Sequence, residues 1–225
     1  QVRWFKKPTP GHTYMVSLDP SMGTGGDFAA IQVFELPTFE QIGEWHHNMT
    51  PMNQQVRILQ GINKHIHDTI LERDASATPQ IFYSMENNTI GEAALMRVMD
   101  IGEENIMGMF LSEPIRKGHR RKFRRGFNTT AKHKIDACTK FKELVEGGKM
   151  KINSQLLISE MKDFVAAGLS YKAKPGQHDD LVSACLLMTR MMKVLADFDP
   201  KIFEKWTDRS SELTTPMPIF GNFYG

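Results

Sequence analysis

Acidic residues stand at three separated points of the chain where a predicted strand ends or a predicted helix begins. Asp19 and Glu86 each close a strand-like run, and the pair Asp179–Asp180 precedes a strongly apolar helical run. Phosphodiester hydrolysis can use two divalent ions that stabilise the attacking and the leaving oxygen, and Mg²⁺ prefers carboxylate ligands. Three or four such carboxylates brought together would hold these ions. The pattern therefore predicts metal-dependent phosphoryl-transfer chemistry without a nucleophilic side chain.

The residues around Asp19 predict an antiparallel hairpin. Tyr14, Val16 and Leu18 alternate with smaller or polar neighbours, which is the period of a half-buried strand. A loop with three glycines follows, and a second apolar run begins directly after Asp27. Such a loop lets the backbone approach a phosphate closely. The alternative is an ordinary turn with a solvated aspartate, since Asp and Gly are common turn residues.

The remaining pattern predicts alternating strands and helices. Strands are expected at residues 28–34, 39–45, 80–86 and 105–111, with short extended pieces at 150–152 and 169–173. Helices are expected at residues 52–71, 90–99, 130–145, 154–167 and 181–198, the first of them with Thr50 as its N-cap. This order is typical of an α/β fold with a mixed β-sheet flanked by helices, in which strand-end carboxylates can converge on one edge.

Length and composition predict one domain without a membrane segment. We expect a linker at residues 1–12, the domain at 13–198 and a C-terminal tail at 199–225 of this 225-residue chain. No apolar run approaches the ~20 residues of a membrane span, and the first residues lack the apolar segment of a signal peptide. Cys138 and Cys185 are isolated, so we expect buried thiols in a reducing compartment.

One strongly basic stretch follows the predicted strand at 105–111. Residues 116–125 contain seven Arg or Lys in a chain whose net charge is only +2. This density fits a track for the phosphate backbone of DNA, although a solvated loop can have the same composition. The predicted DNA-binding residues are Arg116, Lys117, Arg120, Arg121, Lys122, Arg124 and Arg125, with Lys132 near the start of the next helix.

Four motifs, in this order, resemble the nuclease domain of the large terminase subunit of tailed bacteriophages. They lie at residues 18–27 (Leu-Asp-Pro-Ser-Met-Gly-Thr-Gly-Gly-Asp), 85–88 (Met-Glu-Asn-Asn), 126–132 (Gly-Phe-Asn-Thr-Thr-Ala-Lys) and 178–184 (His-Asp-Asp-Leu-Val-Ser-Ala). The resemblance implies an RNase H-like (RuvC-type) fold and an endonuclease that cuts concatemeric viral DNA. It also implies that Asp19, Glu86 and one of the two adjacent aspartates hold the catalytic Mg²⁺ or Mn²⁺, two ions in all.

Helical spacing distinguishes the two adjacent aspartates. Asp180 shares a face with three apolar residues, Ala184, Leu187 and Met191. That face is expected to lie on the sheet, whereas Asp179 shares its face with Ser183 and Arg190 and is expected to face solvent. Asp180 is therefore the predicted principal ligand, and Asp179 is an N-cap or a ligand of the second metal.

Two further residues are predicted to lie beside the metals without binding them. Asp27 is equally compatible with a plain turn, and His178 with a plain loop, but the resemblance favours a role in the site for Asp27. His46 and His47 are assigned to the structure, because adjacent residues on a strand face opposite ways and suit a shared metal poorly.

The resemblance also implies partners. These are double-stranded DNA, an ATPase domain N-terminal in the same polypeptide, the small terminase subunit and the portal of the procapsid, with no membrane and a location in the host cytoplasm. Two alternatives remain: a non-catalytic docking module for DNA or the portal, and a nuclease similar to Holliday-junction resolvases. An actin-like ATPase is disfavoured, because the sequence lacks a second glycine-rich phosphate loop.

Overall fold

A six-stranded mixed sheet lies at the centre of the protein. The structure is a computed structural model, and it describes residues 1–114, 125–168 and 170–198. Its strands, in chain order, are β1 (Arg3–Trp4), β2 (Thr13–Asp19), β3 (Ala29–Leu36), β4 (Glu40–His47), β5 (Gln80–Met85) and β6 (Met109–Phe110). The spatial order is β1-β4-β3-β2-β5-β6. The first four are joined by antiparallel pairing, and β5 runs parallel to both β2 and β6. This arrangement confirms the predicted mixed sheet.

Helices cover both faces of the sheet. They are α1 (Met52–Arg73), α2 (Thr89–Ile101), α3 (Ala131–Glu146), α4 (Gln155–Asp163) and α5 (Asp180–Phe198). Tyr14, Val16 and Leu18 pack with α1 and α2 on one face, while Met15 packs with α3 and α5 on the other. The alternation in β2 predicted a half-buried strand, but β2 is buried on both faces because helices flank the sheet on both sides.

Several predicted boundaries are wrong. The strand expected at 105–111 is reduced to β6, after a 3₁₀ turn at Glu103–Asn105, and residues 150–152 contribute only one isolated bridge, between Glu40 and Lys151. The helix expected at 154–167 ends at Asp163. The next residues form β7 (Phe164–Ala167), which pairs with β8 (Ser170–Ala173), because a partner strand lies next to them and offsets their helical pattern.

The start of α1 also differs from its prediction. Pro51, not Thr50, is the N-cap residue, and no side chain caps the helix. The hydroxyl of Thr50 instead lies 2.8 Å from Nδ1 of His47.

None of the helices in the described part of the chain is long and apolar enough to span a bilayer. Cys138 and Cys185 are both buried free thiols.

The N-terminal residues bring positive charge to buried carboxylates of the sheet. Glu35 and Glu44 are fully buried. Arg3 pairs with Glu44, Lys6 pairs with Glu35, and Nδ1 of His12 lies 3.2 Å from Glu35. A buried carboxylate without a partner would cost several kcal/mol, so these contacts matter for folding. Residues 1–12, predicted to be a linker, thus include an edge strand, two cations that pair with buried carboxylates of the sheet, and a histidine that contacts one of these carboxylates.

Glu40 is a further acid at the same side of the sheet. Its carboxylate lies 2.6 Å from Nζ of Lys151, 3.1 Å from Nζ of Lys6 and 3.2 Å from Nδ2 of Asn153. Burial alone would raise the pKa of Glu40, but these hydrogen bonds lower it from 4.5 to about 2. The charge on Glu40 therefore stabilises the folded protein at neutral pH. This contribution is lost as the pH falls from about 4.5 towards 2.

We expect Glu40→Gln to lower the free energy of unfolding by about 1–2 kcal/mol at pH 7, a value reduced by solvent screening of the two lysines. The difference in unfolding free energy between the variant and the wild type should shrink steadily as the pH falls below about 4.5, the pKa of Glu40 in the unfolded chain. Urea unfolding at pH 7 and pH 3 measures it. Glu146→Gln is the control, since Glu146 is exposed and lies 3.8 Å from Lys142. A loss of stability that is the same at both pH values would contradict the assignment.

Candidate active site

The parallel pairing of β2 and β5 places Asp19 and Glu86 side by side. Leu18 is in register with Met85, and the N–H of Glu86 donates to the carbonyl of Leu18 at 3.3 Å. Both acids therefore lie at the carboxyl ends of neighbouring parallel strands, where loops diverge and leave a crevice. Their side chains lie close enough for Glu86 to disfavour the ionised form of Asp19, in addition to the effect of burial.

Short segments on either side of Glu86 fix its backbone. Phe127 runs alongside as a parallel bridge partner, and Nδ2 of Asn88 donates to the Glu86 carboxylate at 3.0 Å. Asn88 also caps α2 by accepting from the N–H of Gly91. A Cβ at Gly91 would lie 1.8 Å from the carbonyl oxygen of Glu86, so only glycine permits this close approach.

Helix α5 brings the adjacent aspartates to the same edge. It packs across β2 and β3, where the hydroxyl of Ser17 donates to the carbonyl of Ala184 at 2.8 Å. The carboxylate of Asp180 accepts a hydrogen bond from the backbone N–H of Phe28, which directly precedes β3. The carboxylate of Asp179 accepts from the N–H of Ala173 at 3.1 Å. Each aspartate is thus oriented by a main-chain donor from a different segment.

Burial and neighbouring charges perturb two of the clustered acids, Asp19 and Asp180. Burial raises the pKa of Asp19 well above its usual range, and the charges of Glu86, Asp180 and Asp179 raise it further. Burial also raises the pKa of Asp180 to about 6, together with the charges of Asp179 and Asp27, although the Phe28 N–H and His178 lower it. Asp19 therefore lies within electrostatic reach of the other three predicted ligands.

A cavity of about 110 Å³ opens beside two of these acids, Asp19 and Glu86. Its lining combines carboxylates, cations, hydroxyls and apolar side chains: Asp19, Glu86, Thr129, Lys134, Ala137, Ser183, Leu186, Leu187 and Arg190. Nζ of Lys134 lies 5.7 Å from the ring centre of Phe164, and no carboxylate of the described residues lies within 4.0 Å of it. Lys134 is therefore a cation of the cavity that no acid of the described chain neutralises at that distance.

Arg190 is the second cation of the cavity, and it is tightly held. Its guanidinium pairs with Glu113 and donates to the hydroxyl of Thr129 at 2.9 Å and to the carbonyl of Asn128 at 3.0 Å. It also lies over the ring of Phe127, 5.2 Å from the ring centre. Arg190 therefore fastens α5 to the segment that runs beside Glu86, and its charge is largely neutralised.

The predicted division of the α5 faces was partly wrong. The face of Asp180 is buried as expected, at Ala184, Leu187 and Met191. The face of Asp179 was expected to meet solvent, but Ser183 and Arg190 on that face line the cavity with Asp19. The side of α5 that faces the protein is wider than its apolar stripe, because it also includes the polar residues that line the cavity. The choice of Asp180 over Asp179 as principal ligand stays a prediction.

The two residues predicted to lie beside the metals are both near Asp180. The charge of Asp27 contributes to the raised pKa of Asp180, and Nδ1 of His178 lies 3.7 Å from its carboxylate.

The glycine loop between β2 and β3 packs against residues 48–50. A Cβ at Gly23, where φ is +69°, would lie 2.1 Å from the carbonyl oxygen of Thr50. This close approach and the positive φ explain the glycine in terms of packing alone.

Two further residues lie near the aspartates: Glu160, which the sequence analysis did not identify, and His46, which it assigned to the structure. Oε2 of Glu160, on α4, accepts from the N–H groups of Leu181 and Val182 at 2.9 and 3.1 Å. Burial raises the pKa of Glu160 to about 7, and the charges of Asp180 and Asp179 add to this, although the two amides lower it. His46 stacks on Phe28 with ring centres 4.0 Å apart, and burial lowers its pKa to about 4.

Most of the basic stretch lies outside the described residues. This applies to Arg116, Lys117, Arg120, Arg121, Lys122 and Arg124. Arg125 is described, and its guanidinium lies 2.6 Å from the carboxylate of Glu103 and 5.9 Å from the ring centre of Phe110. Lys132 is exposed on the first turn of α3. The predicted DNA contacts of these residues stay predictions.

The acidic cluster fits a divalent cation by its chemistry. Among the described residues, no three His, Cys, Asp or Glu side chains surround a common point in their present orientations. The donors are nevertheless all carboxylate oxygens, which Mg²⁺ and Mn²⁺ prefer. Burial raises the pKa of Asp19 and Asp180, and the repulsion that raises both further is a charge excess that such a cation would relieve.

Known proteins share this architecture. The model of the terminase RNaseH-like domain family matches residues 16–191. The nuclease of the large terminase from thermophilic phage G20c superposes with a TM-score of 0.60 at 15% identity, over 83% of this chain and 86% of that one. A structure of the same nuclease with bound magnesium also gives 0.60, at 16% identity, over 83% of this chain and 85% of that one.

A viral relative of different origin matches as well. The human cytomegalovirus terminase nuclease domain, soaked with Mn and bound to an inhibitor, gives a TM-score of 0.54 at 15% identity over 86% of both chains. At identities this low, the superpositions establish only a common fold. The match to the family model establishes the relationship in sequence. The predicted RNase H-like fold and the predicted family are confirmed. This chain belongs to the terminase RNaseH-like domain family.

Proposed function

We propose that this chain is the DNA endonuclease domain of a phage packaging terminase and that it cuts concatemeric viral DNA by divalent-metal-dependent phosphodiester hydrolysis. The observation that carries the proposal is the meeting of Asp19, Glu86 and Asp180 at one edge of the sheet, where burial and the charges of Glu86 and Asp180 raise the pKa of Asp19. The related nuclease of phage G20c has been seen with bound magnesium and with bound cobalt, which supports a divalent ion here.

In this proposal the carboxylates of Asp19, Glu86 and Asp180 hold Mg²⁺ or Mn²⁺, and Asp179 completes the set for a second ion. When bound, two such ions stabilise the attacking and the leaving oxygens of an in-line displacement. Lys134 contributes the charge that a DNA phosphate needs, because no carboxylate of the described chain neutralises it. Asp27 and His178 orient Asp180 and the water around it.

The wider assignment follows from the family. We propose double-stranded DNA as substrate, an ATPase domain in the same polypeptide, and the small terminase subunit and procapsid portal as partners. The setting is the host cytoplasm, with transient attachment to the portal. Residues 13–198 would form the nuclease unit and 199–225 a tail. A non-catalytic docking module and a junction resolvase are the competing outcomes of the experiments below, and no contact in the described chain favours either.

We expect Asp19→Ala, Glu86→Ala and Asp180→Ala each to reduce cleavage to the level of a metal-free reaction. Each removes a metal ligand and also relieves repulsion, so the metal-free protein should be as stable as the wild type or slightly more stable. Conversion of supercoiled plasmid with Mg²⁺, Mn²⁺ or EDTA measures cleavage, and thermal unfolding measures stability. Asp136→Ala, an exposed aspartate on α3, is the matched control.

Wild-type protein that never cuts with either metal would favour the docking module. A strong preference for branched over linear DNA would favour the resolvase. Full activity in any one of the three variants would remove that residue from the site. An inactive Asp179→Ala with an active Asp180→Ala would reverse only the choice between those two.

We expect Lys134→Ala to reduce the cleavage rate by about 10-fold at DNA concentrations below saturation, because the remaining cation of the cavity, Arg190, is already paired with Glu113. The slope of log affinity against log salt should flatten by about 0.9, the value for one phosphate. Lys142→Ala is the control on the same helix, since Lys142 is exposed and far along α3. Equal slopes for Lys134→Ala and Lys142→Ala would exclude Lys134 from the DNA site.

We expect the joint replacement of Arg116, Arg120, Arg121 and Arg124 by Ala to flatten the same salt slope by about 0.9 for each phosphate that these side chains neutralise. Affinity is measured with Ca²⁺ in place of Mg²⁺ to suppress cutting. Arg125 is left in place because it pairs with Glu103. A solvated loop predicts parallel lines for the variant and the wild type, and that result would refute the DNA track.

A further inference from the structure

The N-terminus of α5 is capped by a side chain from a different helix. Oε2 of Glu160, near the end of α4, accepts hydrogen bonds from the N–H groups of Leu181 and Val182 at 2.9 and 3.1 Å. Such N–H groups have no acceptor inside their own helix and need a partner from elsewhere. The Glu160 side chain is only 11% exposed, so water does not offer an equivalent partner.

The residues that would normally cap α5 are directed elsewhere. In α3 and α4 the residue before the helix, Thr130 or Ser154, caps its own helix with a side-chain oxygen. In α5 the equivalent residue is Asp179, whose carboxylate accepts from the N–H of Ala173 instead. The Asp180 carboxylate accepts from the N–H of Phe28. Both carboxylates are therefore directed away from the helix end, and the cap comes from Glu160.

The other side of Glu160 leads to the second support of Asp180. Oε1 of Glu160 lies 3.8 Å from Nε2 of His46, a nitrogen with no hydrogen-bond partner in the described chain. The ring of His46 stacks on Phe28, whose backbone N–H holds Asp180. Glu160 thus lies next to both the helix that carries Asp180 and the side chain that packs on its backbone donor.

We propose that Glu160 is a positioning residue for the metal site: by capping α5 it holds Asp180 and Asp179 in the orientation that binds the divalent ion. The inference rests on the proposed metal-dependent function. Residues that orient metal ligands through hydrogen bonds affect metal affinity by about 10–100-fold when they are replaced. Glu160 has the same relation to Asp180 through the backbone of α5, and its oxygen acts as an acceptor without touching the metal.

Three substitutions separate the acceptor from the charge. Glu160→Gln keeps the length and a carbonyl acceptor but removes the charge, Glu160→Asp keeps the charge but is too short to reach both N–H groups, and Glu160→Met keeps the length without a good acceptor. Mn²⁺ affinity is measured by calorimetry on the whole chain without DNA. Amide hydrogen exchange at Leu181 and Val182, measured without metal, reports the cap itself.

We expect Glu160→Gln to bind Mn²⁺ within about 3-fold of the wild type, and Glu160→Asp and Glu160→Met to bind about 10–100-fold more weakly. Exchange at Leu181 and Val182 should stay slow in Glu160→Gln and become fast in the other two. Ile66→Val is the stability control, because it removes a buried methyl group on the opposite face of the sheet. It should lower the melting temperature while leaving Mn²⁺ affinity unchanged.

Other results would overturn the inference. Loss of affinity in Glu160→Gln with retention in Glu160→Asp would mean that the carboxylate itself binds the ion. Unchanged affinity in Glu160→Met, with fast exchange at Leu181, would make the cap purely structural. Equal losses in Ile66→Val would trace the effect to global stability. Wild-type protein that binds no Mn²⁺ would instead refute the proposed function, so the two failures are distinguishable.

Discussion

Mutual repulsion among carboxylates, held together by rigid packing, is the constraint on which the rest of this site depends. Asp19 and Glu86 end neighbouring parallel strands, and α5 is pinned across the sheet with Asp180 at the same edge. Burial raises the pKa of Asp19, and the like charges of its neighbours raise it further, which disfavours the folded state when all are ionised. The packed core on both faces of β2 stabilises the fold and offsets the free-energy cost of this repulsion.

The treatment of other buried acids makes the contrast clear. Glu35, Glu40 and Glu44 are each met by a Lys, Arg or His from the N-terminal segment, or by Lys151. Within the described chain, Asp19 and Glu86 have no Lys or Arg within 4.0 Å, although Lys134 and Arg190 line the same cavity. The fold thus neutralises the acids of the sheet with its own cations, whereas Asp19 and Glu86 at the edge have no such partner in the described chain. This difference is the physical argument for a metal site.

Much of the fold was predictable because apolar periodicity and turn residues act locally. The strands that end at Asp19 and Glu86, the caps at Asn88 and Thr130, and the start of α5 lie close to their expected positions. Prediction failed where pairing with a distant partner decides the structure. Phe164–Ala167 continues a helical pattern in the sequence, yet it forms a strand because Ser170–Ala173 lies beside it.

The sequence by itself determined the acidic residue types, their places at strand and helix ends, and the family they resemble, because these depend on local pattern. Tertiary structure alone decided which side chains meet. Lys134, Arg190 and Glu160 reach the site from α3, α5 and α4, and nothing in their neighbours along the chain marks them. For the same reason, the α5 face that carries Asp179 was wrongly predicted to be exposed to solvent. Helical spacing gives a direction, but only the packing of other elements shows whether that direction meets water, core or a polar cavity.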